Sequence, residues 1–241
     1  MIAALRSAAT YIIVSMYVLV VAPPGILLAV LFGWKKHLYV LGRFGARLGL
    51  VICGIRVRIT GAEHLPWDRA AVYCANHESN IDPPVLFAVL HPQMHVLYKQ
   101  ELDRIPVLSR AFHVGGFIPI DRRRKEAAMR SIDDGAASIR SGNSFLIFPE
   151  GTRSRTGELL PFKKGGFIMA IKAGAPIVPV GIQGGRASMS RGRWVIRPVT
   201  ISIRVGEPIE ARDYTVDDRD VLINRVHDKV AALLAEGPIT A

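Results

Sequence analysis

A histidine and an aspartate lie five positions apart in residues 74–85, which read CANHESNIDPPV. His77 and Asp82 could together take a proton from a hydroxyl group, because the carboxylate fixes the imidazole tautomer and stabilises the imidazolium that forms. Within one helix the two side chains would point about 140° apart. The pair therefore requires a loop at His77 that folds back towards Asp82.

The same stretch is also compatible with an ordinary loop that ends at a helix. The sequence DPPV is typical of a helix start, with Asp82 as the N-cap and Pro83 at the first helical position. A metal site is the weaker alternative, because only Glu78 offers an obvious third ligand. A covalent serine mechanism is disfavoured, since the sequence contains no G-x-S-x-G elbow.

Two later stretches carry residues suited to binding a phosphate. In GGFIPIDRRRKE (115–126), Arg122 follows a short apolar run, and a guanidinium group can hold a phosphate through two hydrogen bonds. The stretch 148–166 combines a glycine turn with Arg153, and with Lys163 at the start of a predicted helix whose N-terminal amides favour anions. Taken alone, each stretch could equally be a solvated helix start or an ordinary turn.

Alternating strand and helix patterns predict the scaffold that positions these residues. Apolar, β-branched runs predict strands at 56–60, 70–75, 94–99, 144–149, 177–182 and 199–205, and helical periodicity predicts helices at 125–142, 162–174 and 217–237. This alternation is typical of an α/β domain with a mostly parallel, helix-flanked sheet. Ligands of such sheets bind beyond the carboxyl ends of the strands, where His77 is expected. Pro179 predicts that its strand is an edge, a bulge or a strand end.

The first 54 residues predict a membrane-associated motif of two helices. Residues 11–34 are almost entirely apolar and long enough to cross a bilayer, although the Pro-Pro-Gly in the middle should kink or break the helix. Residues 36–53 predict an amphipathic helix with Arg43 and Arg47 on one face, a type that lies at anionic lipid interfaces. A helix pair packed against the protein's own core is the alternative.

The composition narrows the class of partner. The chain of 241 residues has a net charge of +11 and is 50% hydrophobic, which suits an α/β domain at 55–241 after the motif at 1–54. A basic protein of this kind is expected to meet an anionic partner, either a phospholipid surface or an anionic substrate. Nucleic acid is disfavoured, because only 7% of residues are aromatic and none form a stacking motif with basic residues. Cys53 and Cys74 lie in apolar runs and predict buried, reduced thiols.

Four stretches, taken in order, resemble the glycerolipid acyltransferase family, specifically its bacterial 1-acylglycerol-3-phosphate acyltransferases. They are NHESNID, GGFIPIDR, FPEGTRS and IVPVGI, and their spacing matches the family as well. The resemblance covers residues 55–210, and the N-terminal hairpin also resembles the membrane-docking helices of bacterial members. The segment ESNIDPP departs from the more familiar family sequence, although the block keeps its histidine and aspartate. The departure therefore concerns the identity of the acceptor and not the chemistry.

The resemblance implies a reaction and a role for each candidate residue. An acyl group would pass from acyl-CoA or acyl carrier protein to the sn-2 hydroxyl of lysophosphatidate, giving phosphatidate without a cofactor. His77 would be the general base and Asp82 its partner. Ligands for the acceptor and its phosphate would be Arg122, Glu150, Gly151, Thr152, Arg153 and Lys163.

The expected partners are anionic membrane lipids, lysophosphatidate and the acyl donor thioester, at the cytoplasmic face of a bacterial inner membrane. One alternative is a related acyltransferase with another acceptor, such as lyso-ornithine lipid, glycerol-3-phosphate or another lysophospholipid. The other is a non-catalytic module that only binds anionic lipids.

Overall fold

The computed structural model describes residues 1–121 and 124–240, and within these seven strands form one sheet. The strands are β1 (Arg56–Thr60), β2 (Val72–Ala75), β3 (Met94–Lys99), β4 (Ile118–Ile120), β5 (Ser144–Ile147), β6 (Ile177–Gln183) and β7 (Thr200–Val205). Their spatial order is β1-β7-β6-β2-β5-β3-β4, and β6 with β7 is the antiparallel pair in an otherwise parallel sheet. The predicted mostly parallel sheet is confirmed.

Helices cover both faces of this sheet. They are α1 (Ile2–Phe32), α2 (Lys35–Cys53), α3 (Asp82–Val89), α4 (Pro106–Val114), α5 (Lys125–Arg140), α6 (Gly165–Ala173), α7 (Gly185–Ser188) and α8 (Arg219–Ala235). Side chains of α2 and α3 pack on one face, and those of α5, α6 and α8 pack on the other. The sequence patterns did not predict α4, α7 or β4, and the last two, at four and three residues, are too short to establish a period.

The central strand β2 shows why its sequence is continuously apolar. Tyr73 and Ala75 belong to the core on one face of the sheet, while Val72 and Cys74 belong to the core on the other. Successive side chains of a strand alternate between faces, so a strand covered on both sides buries every residue. Cys74 and Cys53 are both buried and free, as predicted.

The first helix, α1, runs unbroken from Ile2 to Phe32 through both internal prolines, so the predicted break is wrong. The helix is held beside the prolines by α2. A Cβ atom added at Gly25 would lie 3.0 Å from Leu41 Cδ1, so α2 packs directly against the helix at this point. Such packing keeps the helix in place where a proline removes one backbone hydrogen bond.

The two arginines of α2 bind the end of α3. The Nη2 atoms of Arg43 and Arg47 donate to the carbonyl oxygen of Ala88 at 3.0 and 3.1 Å. Carbonyl groups in the last turn of a helix lack partners within the helix and carry partial negative charge. The basic face of α2 therefore makes a contact within the protein that its pattern did not indicate. On the apolar side of α2, Phe44 and Val51 remain 58% and 74% exposed.

Pro179 lies in β6, which is an interior strand, so the predicted edge position is wrong. The Pro179 carbonyl accepts a hydrogen bond from Gly206, directly after the end of β7. The nitrogen and carbonyl of one strand residue point to the same side. The missing N–H of Pro179 therefore faces the point where the β7 ladder ends. Pro179 itself lies inside β6 (Ile177–Gln183), so the predicted strand-end position is wrong as well.

Candidate active site

His77 follows the carboxyl end of β2, and its imidazole contacts Asp82. The Nδ1 atom lies 2.9 Å from Asp82 Oδ2; the aspartate side chain is fully buried and that of the histidine is 16% exposed. With the Nδ1 proton donated to the carboxylate, the lone pair on Nε2 is left to accept a proton. The predicted loop that brings the two side chains together is confirmed.

Asp82 is the first residue of α3 and not its N-cap, contrary to the sequence pattern. Its Oδ2 atom accepts hydrogen bonds from the backbone N–H groups of Glu78 and Ser79, both at 2.7 Å. The carboxylate therefore organises the loop in front of the helix and leaves the helix itself uncapped. Its Oδ1 atom is buried without a hydrogen-bond partner among the described residues, and a Cβ added at Gly185 would lie 2.2 Å from it.

The turn that follows β5 holds the backbone of His77 in place. Glu150 Oε1 accepts a hydrogen bond from the His77 N–H at 2.6 Å, and the Ser154 N–H donates to the His77 carbonyl at 2.8 Å. The ring of Phe148 stacks on the imidazole with 4.3 Å between centroids. Two stretches that the sequence separates by 73 residues thus form one rigid unit.

Asn76 is a positioning residue that the sequence patterns did not indicate. Its amide forms two hydrogen bonds with the backbone of Ile182 in β6: Nδ2 donates to the carbonyl at 2.9 Å, and Oδ1 accepts from the N–H at 2.7 Å. The side chain is buried. A buried amide requires such partners, so an asparagine at the end of an apolar strand was the available signal.

The predicted acceptor-binding residues fall into three groups. One cavity of about 1420 Å³ is lined by His77 together with Gly151, Thr152, Arg153 and Lys163. Glu150, in contrast, is 3% exposed and lies outside the lining. Arg122 falls outside the described residues.

Both carboxylate oxygens of Glu150 are occupied by backbone donors. Oε1 accepts from His77, and Oε2 accepts from the N–H of Leu160 at 3.1 Å. This geometry gives Glu150 a structural role in holding the His77 loop. The contact with the acceptor that the family resemblance implied stays a prediction.

The cavity has an apolar part and a basic part. Its apolar lining includes Val14, Val18, Tyr39, Phe87, Phe112 and Phe117, from the first four helices and the segment before β4. Lys164 and Arg191 line it as well and were not among the predicted residues. A site of this composition suits a molecule that combines an apolar chain with an anionic group. The sequence could not locate the cavity, because its walls come from many separate elements.

Two carboxyl groups near His77 have raised pKa values. Burial and the charge of Asp82 raise the pKa of Glu78 to about 7. Burial also raises the pKa of Glu150, against the backbone N–H groups that favour its ionised form. Across the described part of the chain, no three His, Cys, Asp or Glu side chains are arranged to hold a metal ion.

Replacing Glu78 by glutamine should flatten the pH dependence of stability. Between the ordinary carboxyl pKa of 4.5 and about 7, the folded protein keeps a proton that the unfolded chain has lost. The free energy of unfolding therefore falls as the pH rises through this window, by at most about 3 kcal/mol. Urea titrations at about pH 5 and about pH 8 measure the slope, and the same exchange at exposed Glu63 controls for the lost charge. A Glu78→Gln slope equal to wild type would contradict the assignment.

Comparison of the sequence with known proteins places this chain in a family. The family model described as "Acyltransferase" matches residues 56–183. The 1-acyl-sn-glycerol-3-phosphate acyltransferase of Limnanthes douglasii is 34% identical over 209 residues, which cover 85% of this chain and 74% of the relative. The protein of the same name from Saccharomyces cerevisiae is 30% identical over 207 residues, which cover 84% and 68%.

The fold is shared with a solved structure. The 1-acyl-sn-glycerophosphate acyltransferase PlsC of Thermotoga maritima superposes with a TM-score of 0.82 at 24% identity, over 98% of this chain and 97% of that one. The family match runs from β1 to the end of β6 and so includes His77, Asp82 and the turn at Glu150. The chain therefore belongs to the acyltransferase family that includes the 1-acyl-sn-glycerol-3-phosphate acyltransferases.

Proposed function

We propose that the protein transfers a fatty acyl group from a thioester donor to the sn-2 hydroxyl of 1-acylglycerol-3-phosphate, giving phosphatidate. The observation that carries this proposal is the contact between His77 and Asp82 at a cavity that also holds Arg153 and Lys163. The acceptor has a hydroxyl group to deprotonate, a phosphate to neutralise and an acyl chain to bury. The cavity offers His77 for the hydroxyl group, Arg153 and Lys163 for the phosphate, and an apolar lining for the acyl chain.

The reaction follows from the position of the imidazole. His77 Nε2 takes the proton of the acceptor hydroxyl as its oxygen attacks the thioester carbonyl. Asp82 stabilises the imidazolium through Nδ1. The carbon–sulfur bond then breaks, and the imidazolium returns its proton to the departing thiolate. The acyl group moves in one transfer without a covalent enzyme intermediate, and no cofactor takes part.

Arg153→Ala and Lys163→Ala should each lower kcat/KM for lysophosphatidate by about ten- to a hundred-fold, because each removes a hydrogen bond to a charged phosphate. The release of CoA thiol from one acyl-CoA measures the rate with lysophosphatidate, glycerol-3-phosphate and lysophosphatidylcholine as acceptors. The matched control is Arg155→Ala, an exposed arginine outside the cavity lining. Equal rates with all three acceptors in the wild-type protein would overturn the proposed substrate.

The proposal places α1 along the surface of one membrane leaflet. Within the described residues, α1 is the helix long and apolar enough to cross a membrane, and only 11% of its most apolar window is buried by the protein. Near its start Ser7 bonds the backbone of Ile196, and near its end Val30 lines a pocket together with Pro106 of α4. These two points are roughly 35 Å apart along the helix. If α1 crossed the membrane, the part of the α/β domain that packs along it would therefore lie inside the hydrocarbon core, which is about 30 Å thick.

A location at a membrane surface gives the enzyme direct access to its amphipathic acceptor. The exposed segment Trp34–Lys35–Lys36–His37, where α2 begins, supports the same placement, since an indole and two lysines suit the headgroup level. The proposal includes acyl-CoA or acyl carrier protein as the donor. It also includes the cytoplasmic face of a bacterial inner membrane as the location, as the sequence analysis predicted.

A further inference from the structure

A basic loop lies between α7 and β7 and takes no part in the proposed reaction. Residues 190–197, here called the arginine loop, read SRGRWVIR. They contain Arg191, Arg193 and Arg197, all exposed, and Trp194, which is 57% exposed. From residue 159 to residue 206 the sequence has eight lysines and arginines and no aspartate or glutamate.

The positive charge of the arginine loop is not neutralised by the protein. None of its three guanidinium groups forms an ion pair within the described part of the chain. Unpaired arginines around an exposed indole are the combination expected at the headgroup level of an anionic bilayer. An acidic protein would satisfy the charges equally well, but it would give no reason for the exposed indole.

The arginine loop is fixed to the first third of α1. Tyr11 donates a hydrogen bond to the Trp194 carbonyl at 2.8 Å. Ser7 Oγ accepts one from the Ile196 N–H at 2.8 Å. Beside these contacts α1 exposes Leu5 (66%) and Ile12 (60%). The loop and the apolar side of the helix therefore form a continuous surface of the kind that peripheral membrane proteins present to lipid.

We propose that the arginine loop is a second membrane-binding element, in which Trp194 inserts at the headgroup level and the three arginines bind the phosphates of anionic phospholipids. Arg191 also lines the cavity that contains His77. The loop therefore holds the mouth of the cavity at the level where a lipid acceptor presents its headgroup. This role goes beyond the proposed reaction and does not depend on turnover.

Tryptophan fluorescence tests whether Trp194 meets the bilayer. The chain has three tryptophans, so Trp34→Phe together with Trp67→Phe leaves Trp194 as the single reporter. Vesicles of phosphatidylcholine with phosphatidylglycerol should shift its emission to shorter wavelength, and brominated acyl chains should quench it. Emission that stays unchanged in the presence of bound vesicles would overturn the proposal.

Charge removal tests the arginines. Arg193→Ala with Arg197→Ala should weaken binding to these vesicles about thirty-fold at low salt, or about five-fold per arginine. The control pair is Arg225→Ala with Lys229→Ala, which removes the same charge from exposed positions on α8, across the sheet from α1. An equal loss of vesicle binding in both double variants would show that only the net charge of the protein matters, and this would overturn the proposal. Unchanged vesicle binding with a raised KM for acyl carrier protein would instead make the loop a docking site for the donor protein, which also overturns it.

Discussion

The variant His77→Ala is expected to lose turnover by about 10³-fold or more, because general base catalysis alone supplies about 10² to 10⁴. Neither Asp82 nor Glu150 can replace the imidazole, since Asp82 is fully buried behind it and Glu150 is occupied by backbone N–H groups. Release of CoA thiol with lysophosphatidate as acceptor measures the loss. Substantial remaining turnover would refute the assignment of His77 as the base.

The fold should survive this change, which makes the kinetic result interpretable. Alanine keeps the backbone N–H that Glu150 accepts from and the carbonyl that Ser154 bonds. Binding to liposomes, which we attribute to α1 and the arginine loop, should stay near wild type. A protein that bound liposomes but consumed no thioester even as wild type would instead support the non-catalytic alternative.

The variant Gly185→Ala is expected to reduce turnover by about 10²-fold or more without touching any reacting group. The new methyl carbon would lie 2.2 Å from Asp82 Oδ1, a separation that atoms do not tolerate, so the carboxylate must move away. A displaced Asp82 no longer holds the Nδ1 proton of His77, and loss of this partner in a catalytic triad costs up to about 10⁴. The same overpacking should cost about 1–3 kcal/mol of stability.

The matched control for this variant is Gly49→Ala in α2. There the added carbon would lie 3.3 Å from Val14 Cγ2, which needs to move by only a few tenths of an ångström, and alanine favours the helix. We expect Gly49→Ala to retain both activity and stability. The pH profile of kcat should shift in Gly185→Ala, because the environment of the imidazole changes. An unshifted profile at full activity would show that Asp82 tolerates the displacement.

The contact between His77 and Asp82 could be predicted from the sequence, because the two residues belong to one short motif. His77 and Asp82 lie five residues apart, and the requirement for a loop followed from helical geometry. The six predicted strands are all present, since strands buried on both faces leave continuous apolar runs. Their alternation with helices was sufficient to predict a mostly parallel sheet.

The supporting contacts could not be predicted, because they join distant parts of the chain through backbone groups. Glu150 looked like a ligand in the sequence, yet its oxygens hold His77 and Leu160. The Asn76 contact with Ile182 spans 106 residues and leaves no periodic pattern. The unbroken α1 shows a similar limit, since whether a helix continues through two prolines depends on packing beside Gly25.

The hydrogen bonds that support the backbone around His77 determine when activity can first appear during synthesis of the chain. The catalytic pair is complete once residue 82 has been made, but its supports arrive later, with Glu150 in one turn and Ile182 in β6. Contacts of such long sequence separation form late in folding. A nascent or truncated chain that ends before β6 would carry both catalytic side chains and still lack the geometry that makes them work. Truncation between residues 165 and 176 is therefore expected to give an inactive protein, despite containing every predicted site residue.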